Sequence, residues 1–257
     1  MIQIFNCDCI EGMKNLPKDS VDMILSDLPY NITNCDYDNK AIDLKNFWTE
    51  ARRILKPKCS AVLFASAKFS IKLINSNFEN YRYKWTWLKN APTYFIHAKN
   101  APMRISEEIL VFSESVVGHK STCKNRMKYF PQGLHKKTPR QYRSDKGGKI
   151  YQNNSGSLSH KYTSEIGGYP TEILRFKTPF NVGRLHPSQK PVDLCEYLIK
   201  TYTSKGETVL DTCMGSGTTA IAAINTDRNF VGFELDEKYF EISRQRISKA
   251  FMEEIPE

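Results

Sequence analysis

The stretch Thr208-Val209-Leu210-Asp211-Thr212-Cys213-Met214-Gly215-Ser216-Gly217-Thr218-Thr219 decides the fold. A short apolar strand pattern runs into a tight glycine turn, and a helix pattern begins directly behind that turn. Glycine lets the backbone approach a ligand closely, and a helix N-terminus presents N–H groups to it. A second strand pattern over 230–234 follows and ends in Glu234, an acid of the kind that bonds ribose hydroxyls. The segment therefore predicts a ligand site at the carboxyl edge of a parallel sheet.

Two better-known nucleotide motifs are absent from this turn. Thr218-Thr219-Ala220 follows Gly217, so the full GxGxxG fingerprint is missing, and no GxxxxGK[ST] sequence occurs. Their absence disfavours a nicotinamide dehydrogenase and a phosphate-cradling loop. A purely structural strand-to-helix turn remains the alternative interpretation of the stretch.

Short apolar runs alternate with helical patterns along the chain. Runs typical of buried strands occupy 2–5, 21–26, 61–66, 109–113, 209–211 and 230–234. Apolar residues at helical spacing predict helices over 43–56, 218–225 and 236–251. Strands that alternate with helices indicate an α/β fold with a mainly parallel sheet.

Composition excludes several classes of protein. The 257 residues are 40% hydrophobic and 25% charged, which is typical of a globular domain and not of a disordered or collagen-like chain. No apolar run is long enough to span a membrane, and residues 1–8 lack the pattern of a signal peptide. The seven scattered cysteines then predict reduced thiols in a cytoplasmic protein. No cysteine spacing predicts a metal site, because Cys7 and Cys9 are too close and no CxxC occurs.

The positive charge is concentrated in one segment. Residues 116–185 contain 14 Lys/Arg and three Asp/Glu, whereas the remainder contains 23 Lys/Arg and 25 Asp/Glu. The same segment holds glycine pairs and dispersed aromatic residues but few apolar runs, which predicts a loop-rich insertion. Such asymmetry favours a polyanion-binding insertion on a near-neutral body, and a solvated basic face without a partner is the alternative.

A polar and aromatic tetrapeptide follows the strand pattern at 21–26. Asp27-Leu28-Pro29-Tyr30 is expected at the carboxyl end of that strand, where open parallel sheets bind ligands. A carboxylate and a backbone carbonyl that accept both N–H bonds of an exocyclic amino group would localise its lone pair for attack. A tyrosine ring could stack on the base that carries the amino group. An ordinary turn after a buried strand is the alternative.

These motifs together resemble those of S-adenosylmethionine-dependent DNA amino-methyltransferases. Asp27-Leu28-Pro29-Tyr30 resembles their Asp-Pro-Pro-Tyr catalytic motif, and the stretch 211–219 resembles their cofactor loop. His186-Pro187-Ser188-Gln189-Lys190-Pro191 resembles the motif that precedes this loop and lines the methionine end of the cofactor. Asn6-Cys7-Asp8-Cys9 resembles the site near the cofactor's adenine, and Glu234 falls where the family holds the ribose.

The order of the motifs resembles that of the family's beta group, in which a target-recognition region separates the two halves. The resemblance implies a catalytic half at 1–115, a target-recognition insertion at 116–185 and a cofactor-binding half at 186–257. It also implies a Rossmann-like methyltransferase fold with a mostly parallel seven-stranded sheet and helices on both faces. Many RNA and protein amino-methyltransferases place the cofactor loop before the tetrapeptide, so this order disfavours them.

The resemblance implies two sets of site residues, and the charge of the insertion suggests a third. The catalytic residues are Asp27, Leu28, Pro29 and Tyr30. The residues for S-adenosylmethionine are Cys7, Asp8, Asp27, Ser188, Lys190, Asp211, Gly215, Ser216, Gly217, Thr218 and Glu234. Candidates for DNA contacts, chosen for their charge within the basic insertion, are Lys124, Arg126, Lys128, Lys136, Lys137, Arg140 and Arg143.

One residue departs from the family pattern. Leu28 stands where the family usually has Pro, but its backbone carbonyl remains available to the amino group. Leu loosens the turn because, unlike Pro, it does not fix φ. We therefore expect Leu28 to affect the rate of methyl transfer more than the type of reaction. Asp27, rather than Ser, at the first position resembles the adenine-N6 enzymes. None of the 12 prolines precedes a cysteine, which disfavours a cytosine-C5 enzyme.

The expected activity is site-specific methylation of adenine N6 in duplex DNA, by direct attack of a flipped-out base. A cytosine-N4 methyltransferase and a catalytically weak DNA-binding homologue remain alternatives, as does an RNA or protein methyltransferase. The expected cofactor is S-adenosylmethionine, and no membrane partner is expected. The sequence leaves open whether the chain forms a homodimer and whether a cognate restriction endonuclease accompanies it.

Overall fold

A computed structural model of the chain describes residues 1–30, 42–118, 123–143, 161–179 and 189–253. Two compact units occur. The first combines Met1–Phe130 with Glu172–Glu257, and the second is Pro131–Thr171. The separate unit is thus shorter than the predicted insertion at 116–185, because both ends of that segment belong to the first unit.

Strands and helices alternate as the sequence predicted. In chain order the strands are β1 (Ile2–Asn6), β2 (Val21–Ser26), β3 (Leu55–Ala65), β4 (Tyr81–Thr93), β5 (Arg104–Phe112), β6 (His135–Arg143), β7 (Lys161–Gly167), β8 (Ile173–Arg175), β9 (Thr208–Asp211) and β10 (Asn229–Glu234). The α-helices are α1 (Cys9–Lys14), α2 (Leu44–Ile54), α3 (Ala67–Ser76), α4 (Val192–Tyr202), α5 (Thr218–Asn225) and α6 (Glu237–Glu253). Short 3₁₀ turns at Phe78–Asn80 and Phe95–His97 flank β4. All six predicted strands and all three predicted helices are present.

The first unit is built on one sheet with the strand order β1-β10-β9-β2-β3-β5-β4-β8. The first five strands in this order, β1, β10, β9, β2 and β3, are parallel to one another, whereas β5 runs antiparallel to both β3 and β4. The mostly parallel α/β fold is confirmed, but among the described residues the sheet has eight strands, not seven. The additional strand, β8, is only three residues long and pairs in parallel with β4 through Trp87 and Leu174.

Helices cover both faces of this sheet and bury its alternating side chains. On one face Met23 and Leu25 of β2 pack in a core with α4, α5 and Ile247 of α6. On the other face Val21 and Ile24 pack with α1, α2 and α3. The β2 strand is therefore buried at all six positions and apolar at four of them, as expected for a central parallel strand.

The direction of the strands brings the strand ends that form the site to one edge. Because β1, β10, β9, β2 and β3 are parallel, their carboxyl ends lie together. Since β5 is antiparallel to both β3 and β4, the carboxyl end of β4 and the first residues of β5 lie at this edge too. We call it the carboxyl edge, and the polar motifs predicted as a site follow the strands that end there.

The second unit contains a two-stranded antiparallel ribbon. Its β6 and β7 pair in the register His135 with Gly167 and Arg143 with Lys161. The predicted loop-rich insertion thus contains a β-ribbon that the sequence analysis did not predict. Within 131–171 the sequence holds seven Lys/Arg and two Asp/Glu, so the ribbon lies in a basic unit.

Candidate active site

A cavity of about 770 Å³ opens at the carboxyl edge, among the loops that follow β1, β2, β9 and β10. The tetrapeptide Asp27–Tyr30 and the glycine loop both line it, although they come from opposite ends of the chain. The cavity also contains most of the remaining predicted cofactor residues: Cys7, Asp8, Lys190, Asp211, Gly215, Ser216, Thr218 and Glu234. Ser188 and His186 of the preceding motif lie outside the described residues.

Asp27 is held between two partners. Its Oδ1 atom accepts a hydrogen bond of 2.6 Å from the Tyr30 hydroxyl, and its Oδ2 atom accepts one of 2.5 Å from Nζ of Lys190. The Tyr30 ring stacks on Phe69 of α3 with the ring centroids 4.6 Å apart. The carboxylate and the aromatic ring of the tetrapeptide are therefore fixed relative to each other and to the sheet.

Glu107 of β5 is a site residue that the sequence did not reveal. Its Oε2 atom lies 3.4 Å from Nζ of Lys190, and its other oxygen pairs with Lys89. Burial opposes the charge of Lys190, but the carboxylates of Asp27 and Glu107 outweigh burial and raise the pKa of Lys190 above its ordinary value. Burial likewise opposes the charge of Glu107, yet Lys190 and Lys89 lower its pKa. Lys190 is thus a buried cation with a carboxylate on each side.

Leu28 explains how the tetrapeptide tolerates its departure from the family pattern. The side chain of Leu28 is buried, with 1% of its surface exposed, in the core beneath α1, α2 and α3. Burial of an apolar side chain anchors the turn from below, whereas a proline would restrict its backbone. Pro29 follows at the surface of the cavity.

Asp211 fastens the glycine loop to the strand that carries the tetrapeptide. Its carboxylate accepts hydrogen bonds from Ser26 Oγ at 2.8 Å, Thr219 Oγ1 at 2.6 Å and the Cys213 backbone N–H at 3.1 Å. Burial raises the pKa of Asp211 to about 6, although these hydrogen bonds work in the opposite direction. The Ser26 contact links the carboxyl ends of β2 and β9 directly.

The glycine loop has the backbone that its sequence predicted. Gly217 precedes α5 with a φ of 78°, a left-handed conformation that glycine adopts without strain. A Cβ atom at Gly217 would lie 3.1 Å from Cβ of Ser243, so the loop and α6 are in close contact.

Arg246 of α6 braces this loop, and sequence analysis had not identified it. Its guanidinium donates hydrogen bonds of 3.1 Å to the Ser216 carbonyl and to Thr218 Oγ1. Burial lowers the pKa of Arg246, in keeping with a guanidinium that is held against protein rather than water. No local motif marks the residue, because its partners lie 28 and 30 positions earlier.

Glu234 and the turn after β1 form the opposite wall of the cavity. One carboxylate oxygen of Glu234 accepts a 2.7 Å bond from the Gly215 backbone N–H and the other a 2.9 Å bond from Asp236. Burial raises the pKa of Glu234 against these two bonds. The Glu234 carbonyl accepts the Cys7 N–H at 3.1 Å, and Asp8 caps α1 by accepting from Ile10 and Glu11.

The pKa values of two thiols that line the cavity are raised. A hydrogen bond with Cys9 and burial raise the pKa of Cys213 well above its ordinary value. Burial is also the main cause that raises the pKa of Cys7. A protonated thiol is a poor nucleophile, so these side chains act by packing.

The residues present fit the adenosyl cofactor. Backbone of a glycine loop lies beside a helix N-terminus, and Glu234 ends the adjacent strand with a carboxylate that can accept from a diol. Apolar and aromatic side chains of Ile10, Leu235 and Tyr239 line the same cavity, whose volume is ample for a nucleoside with an amino-acid tail. Among the described residues no cluster of His, Cys, Asp or Glu is suited to a metal ion.

The seven candidates for DNA contacts lie in both units. Lys124 is exposed and Arg126 half-buried in the first unit, and Lys136 is exposed and Lys137 half-buried in the second. Arg140 and Arg143 belong to β6.

Lys128 differs from the other candidates in the carboxylates that surround it. Its ammonium group lies 2.6 Å from Glu207 and 3.2 Å from the buried carboxylate of Asp22. Both carboxylates belong to the first unit, so we expect Lys128 to stabilise the fold, and its predicted DNA contact stays a prediction.

Comparisons with known proteins agree with this geometry. A family model described as DNA methylase matches residues 21–245. The chain is 25% identical to the Type II methyltransferase M.HpaI of Haemophilus parainfluenzae over 261 residues, which cover 95% of this chain and 73% of that protein. It is 27% identical to the putative methylase YubD of Escherichia coli K12 over 252 residues, which cover 96% and 91% of the two chains.

Solved structures are similar over nearly the whole chain. The M1.HpyAVI–SAM complex matches with a TM-score of 0.63 and 25% identity, covering 96% of this chain and 99% of that one. The cytosine-N4-specific PvuII DNA methyltransferase matches with a TM-score of 0.66 and 14% identity, covering 98% and 91%, which shows the fold alone. No helix within the described residues is both long and apolar enough to cross a membrane.

The family match covers most of the chain, and the catalytic and cofactor motifs meet in one cavity. The chain therefore belongs to the DNA methylase family of S-adenosylmethionine-dependent amino-methyltransferases, which modify adenine N6 or cytosine N4.

Proposed function

We propose that this chain methylates the exocyclic N6 of adenine at specific sites in duplex DNA, by direct attack of a flipped-out base. The observation that carries this proposal is the position of Asp27. Its carboxylate lines the same cavity as the glycine loop and is fixed there by Tyr30 and Lys190.

The predicted cofactor residues would contact different parts of S-adenosylmethionine along the cavity. Glu234 would accept the ribose hydroxyls, Asp8 and Cys7 would lie near the adenine, and Lys190 and the motif before it would line the methionine end. S-adenosylmethionine supplies a methyl group on a positively charged sulfur, and the sulfur keeps the bonding electron pair when the methyl leaves. The protein's part is to present a nitrogen lone pair in line with that bond.

Asp27 would activate the amino group without a covalent enzyme intermediate. The lone pair of an exocyclic amine is shared with the aromatic ring, which makes it a poor nucleophile. Oδ1 of Asp27 accepts from Tyr30 and Oδ2 accepts from Lys190, and a carboxylate oxygen has lone pairs for a further hydrogen bond. With one N–H donated to Asp27 and the other to the Leu28 carbonyl, the lone pair localises on N6. After transfer the methylated nitrogen is positively charged, and it would lose one proton along its hydrogen bond to the Asp27 carboxylate and from there to water.

Tyr30 would hold the flipped base by stacking. Phe69 supports the Tyr30 ring, and the hydroxyl bond to Asp27 fixes its tilt. Flipping costs a few kcal/mol, which contacts in the pocket repay. Pro29 and the buried side chain of Leu28 stiffen the turn on which both groups depend.

We further propose that residues 1–115 and 186–257 form the catalytic and cofactor-binding halves and that 116–185 reads the target. The second unit supplies the exposed Lys136 and a basic ribbon, which suit phosphate contacts. Names such as M.HpaI denote Type II methyltransferases, which supports site-specific modification. Adenine is favoured over cytosine because an Asp, not a Ser, begins the tetrapeptide.

The test is mass analysis of nucleosides. Genomic DNA from a strain without DNA methyltransferases is incubated with the full chain and S-adenosylmethionine, digested and analysed. We expect N6-methyladenine. N4-methylcytosine would overturn the choice of base, and cofactor binding without any methylated base would favour a DNA-binding homologue.

A matched pair of carboxylate-to-amide variants tests the role of Asp27. Asp27→Asn should lower the rate by at least about a hundredfold, since the amide loses the Lys190 ion pair and one acceptor. Glu114→Gln removes an exposed carboxylate next to β5, at the opposite edge, and should retain full activity. Full N6-methyladenine formation by Asp27→Asn would refute the assigned role.

A further inference from the structure

The hairpin tip at 94–103, between β4 and β5, exposes two large apolar side chains. Phe95 is 80% exposed and Ile96 is 90% exposed, while Met103 and Ile105 beside them are about half as exposed. Neighbouring apolar side chains so fully surrounded by water forgo the free energy of burial, and such patches mark interaction sites. The tip lines no part of the cavity described above.

The tip is a built structure that holds these side chains outward. Tyr94 adopts a left-handed φ of 73°, and the 3₁₀ turn behind it is closed by hydrogen bonds from His97 to Tyr94 and from Ala98 to Phe95. The Tyr94 ring stacks on His97 at 4.4 Å, and the guanidinium of Arg104 lies 4.4 Å from the centre of that ring. These contacts fix the turn that presents Phe95 and Ile96 to solvent.

The tip extends from the carboxyl edge, where the candidate active site lies. Glu107, which pairs with Lys190 beside Asp27, is the fourth residue of β5. The three residues from Glu107 back to Arg104 span roughly 10 Å of strand toward the tip. Phe95 and Ile96 therefore project beyond the same edge at which a flipped base would enter.

The charge around the tip fits DNA. Residues 90–106 contain Lys99 and Arg104 and no Asp or Glu. The adjacent β8, parallel to β4, carries Arg175 to the same edge, and Lys177 follows it, both exposed. Exposed apolar side chains with cations around them suit DNA, whose outside carries phosphates and whose inside is a stack of apolar base faces.

We propose that this tip inserts Phe95 and Ile96 between base steps of the duplex next to the target base. Apolar side chains that wedge between bases unstack them and kink the DNA, and a base next to such a wedge leaves the stack more easily. Lys99 and Arg104 contact the flanking phosphates. The inference rests on the proposed attack on a flipped base in duplex DNA, but it holds for either adenine or cytosine.

The test places a fluorescent reporter at the tip. Phe95→Trp retains an aromatic side chain at this position, and Phe78→Trp places the same reporter at a 70% exposed position before β4, on the opposite edge. When duplex DNA is added to the full chain, the Phe95→Trp emission should fall by about half or more through base stacking and become protected from acrylamide. The Phe78→Trp emission should stay unchanged. A Phe95→Trp side chain that remains equally open to acrylamide on DNA would overturn the proposal.

A second pair of variants measures the consequence for methyl transfer. Phe95→Ser/Ile96→Ser should lower kcat/KM on duplex DNA by about tenfold and leave the affinity for S-adenosylmethionine unchanged. The control variant Phe78→Ser should change neither quantity. Incorporation of labelled methyl groups is counted whatever the base, so a wrong base assignment would not affect this result. If the double variant instead converts a dimer to a monomer in sedimentation and leaves kcat/KM intact, the tip belongs to an interface between two copies.

Discussion

Nζ of Lys190 lies 2.5 Å from Oδ2 of Asp27, although the two residues are 163 positions apart in the chain. One comes from the strand that carries the tetrapeptide and the other from the motif before α4. Glu107, on a third element, completes the group from the far side of the ammonium. The orientation of the Asp27 carboxylate, the proposed catalytic group, therefore depends on buried charges contributed by three separate parts of the fold.

Glu107 is expected to act as a positioning residue. Glu107→Gln leaves Lys190 with a single carboxylate partner and loosens its hold on Asp27, so kcat should fall on the order of tenfold while the affinity for S-adenosylmethionine changes little. Single-turnover methylation and calorimetry measure the two quantities. The matched control is Glu108→Gln, since the neighbouring carboxylate pairs with Lys84 outside the cavity. Equal losses in both variants would indicate a general effect on β5.

Alanine variants of Gly217 and Gly206 would distinguish the cost of backbone strain from the cost of a steric contact. Both have a φ of 78°, but a Cβ atom at Gly206 meets nothing within 4 Å, whereas one at Gly217 meets Ser243. Gly206→Ala should cost about 1 kcal/mol of unfolding free energy, with no effect on cofactor binding. Gly217→Ala should cost more and weaken S-adenosylmethionine binding about tenfold, because α6 must move away from the loop it braces. Urea unfolding and calorimetry check both variants, and indistinguishable effects would contradict the role of the α6 contact.

Lys128 and Lys136 are expected to behave differently despite equal charge. Lys128→Met breaks pairs with Glu207 and the buried Asp22, so it should lower the free energy of unfolding by about 1–3 kcal/mol. It should leave the salt dependence of DNA binding unchanged. Lys136→Met should alter stability by less than about 0.5 kcal/mol and reduce the slope of log K against log salt by about one. A reduced slope for Lys128→Met would restore it as a DNA contact.

Asp211 should make stability depend on pH. Its pKa is raised to about 6 in the folded state, so between about pH 4 and pH 6 the folded chain binds more protons than the unfolded chain. The free energy of unfolding therefore falls as pH rises through this range, by on the order of 3 kcal/mol from this residue.

The Asp211→Asn variant isolates this contribution. It lacks the titrating group and loses an acceptor equally at every pH, so the stability of the intact chain relative to the variant should decline between pH 4 and pH 7. Urea unfolding of both proteins across that range provides the measurement. Parallel curves would show that Asp211 has no raised pKa.

The sequence predicted those parts of the site that follow strand ends. Asp27, Asp211 and Glu234 could be identified because a parallel sheet brings the carboxyl ends of its strands to one edge, whatever their distance in sequence. The strand β4 was not predicted, although its alternation of aromatic and polar side chains from Tyr81 to Trp87 has the two-residue period of a strand.

Residues that act through tertiary contacts were beyond reach of the sequence. Glu107 and Arg246 belong to no local motif, and only the packing of β5 and α6 brings them to the site. Lys128 resembled its basic neighbours because charge alone does not show that a carboxylate lies opposite. β8 was assigned to the insertion because three residues carry too little pattern to mark a strand.

The arrangement of the sheet also sets conditions on how the chain folds during synthesis. β1 pairs only with β10 among the described strands, and β2 has β9 as one of its two neighbours. Both early strands thus leave the ribosome long before their partners at 208–234 have been made. Until then the nascent chain presents unpaired strand edges rich in Val, Ile and Leu, which are prone to aggregation. The central sheet can therefore be completed only after residues 208–234 have been translated, and we expect its early strands to need protection from aggregation until then.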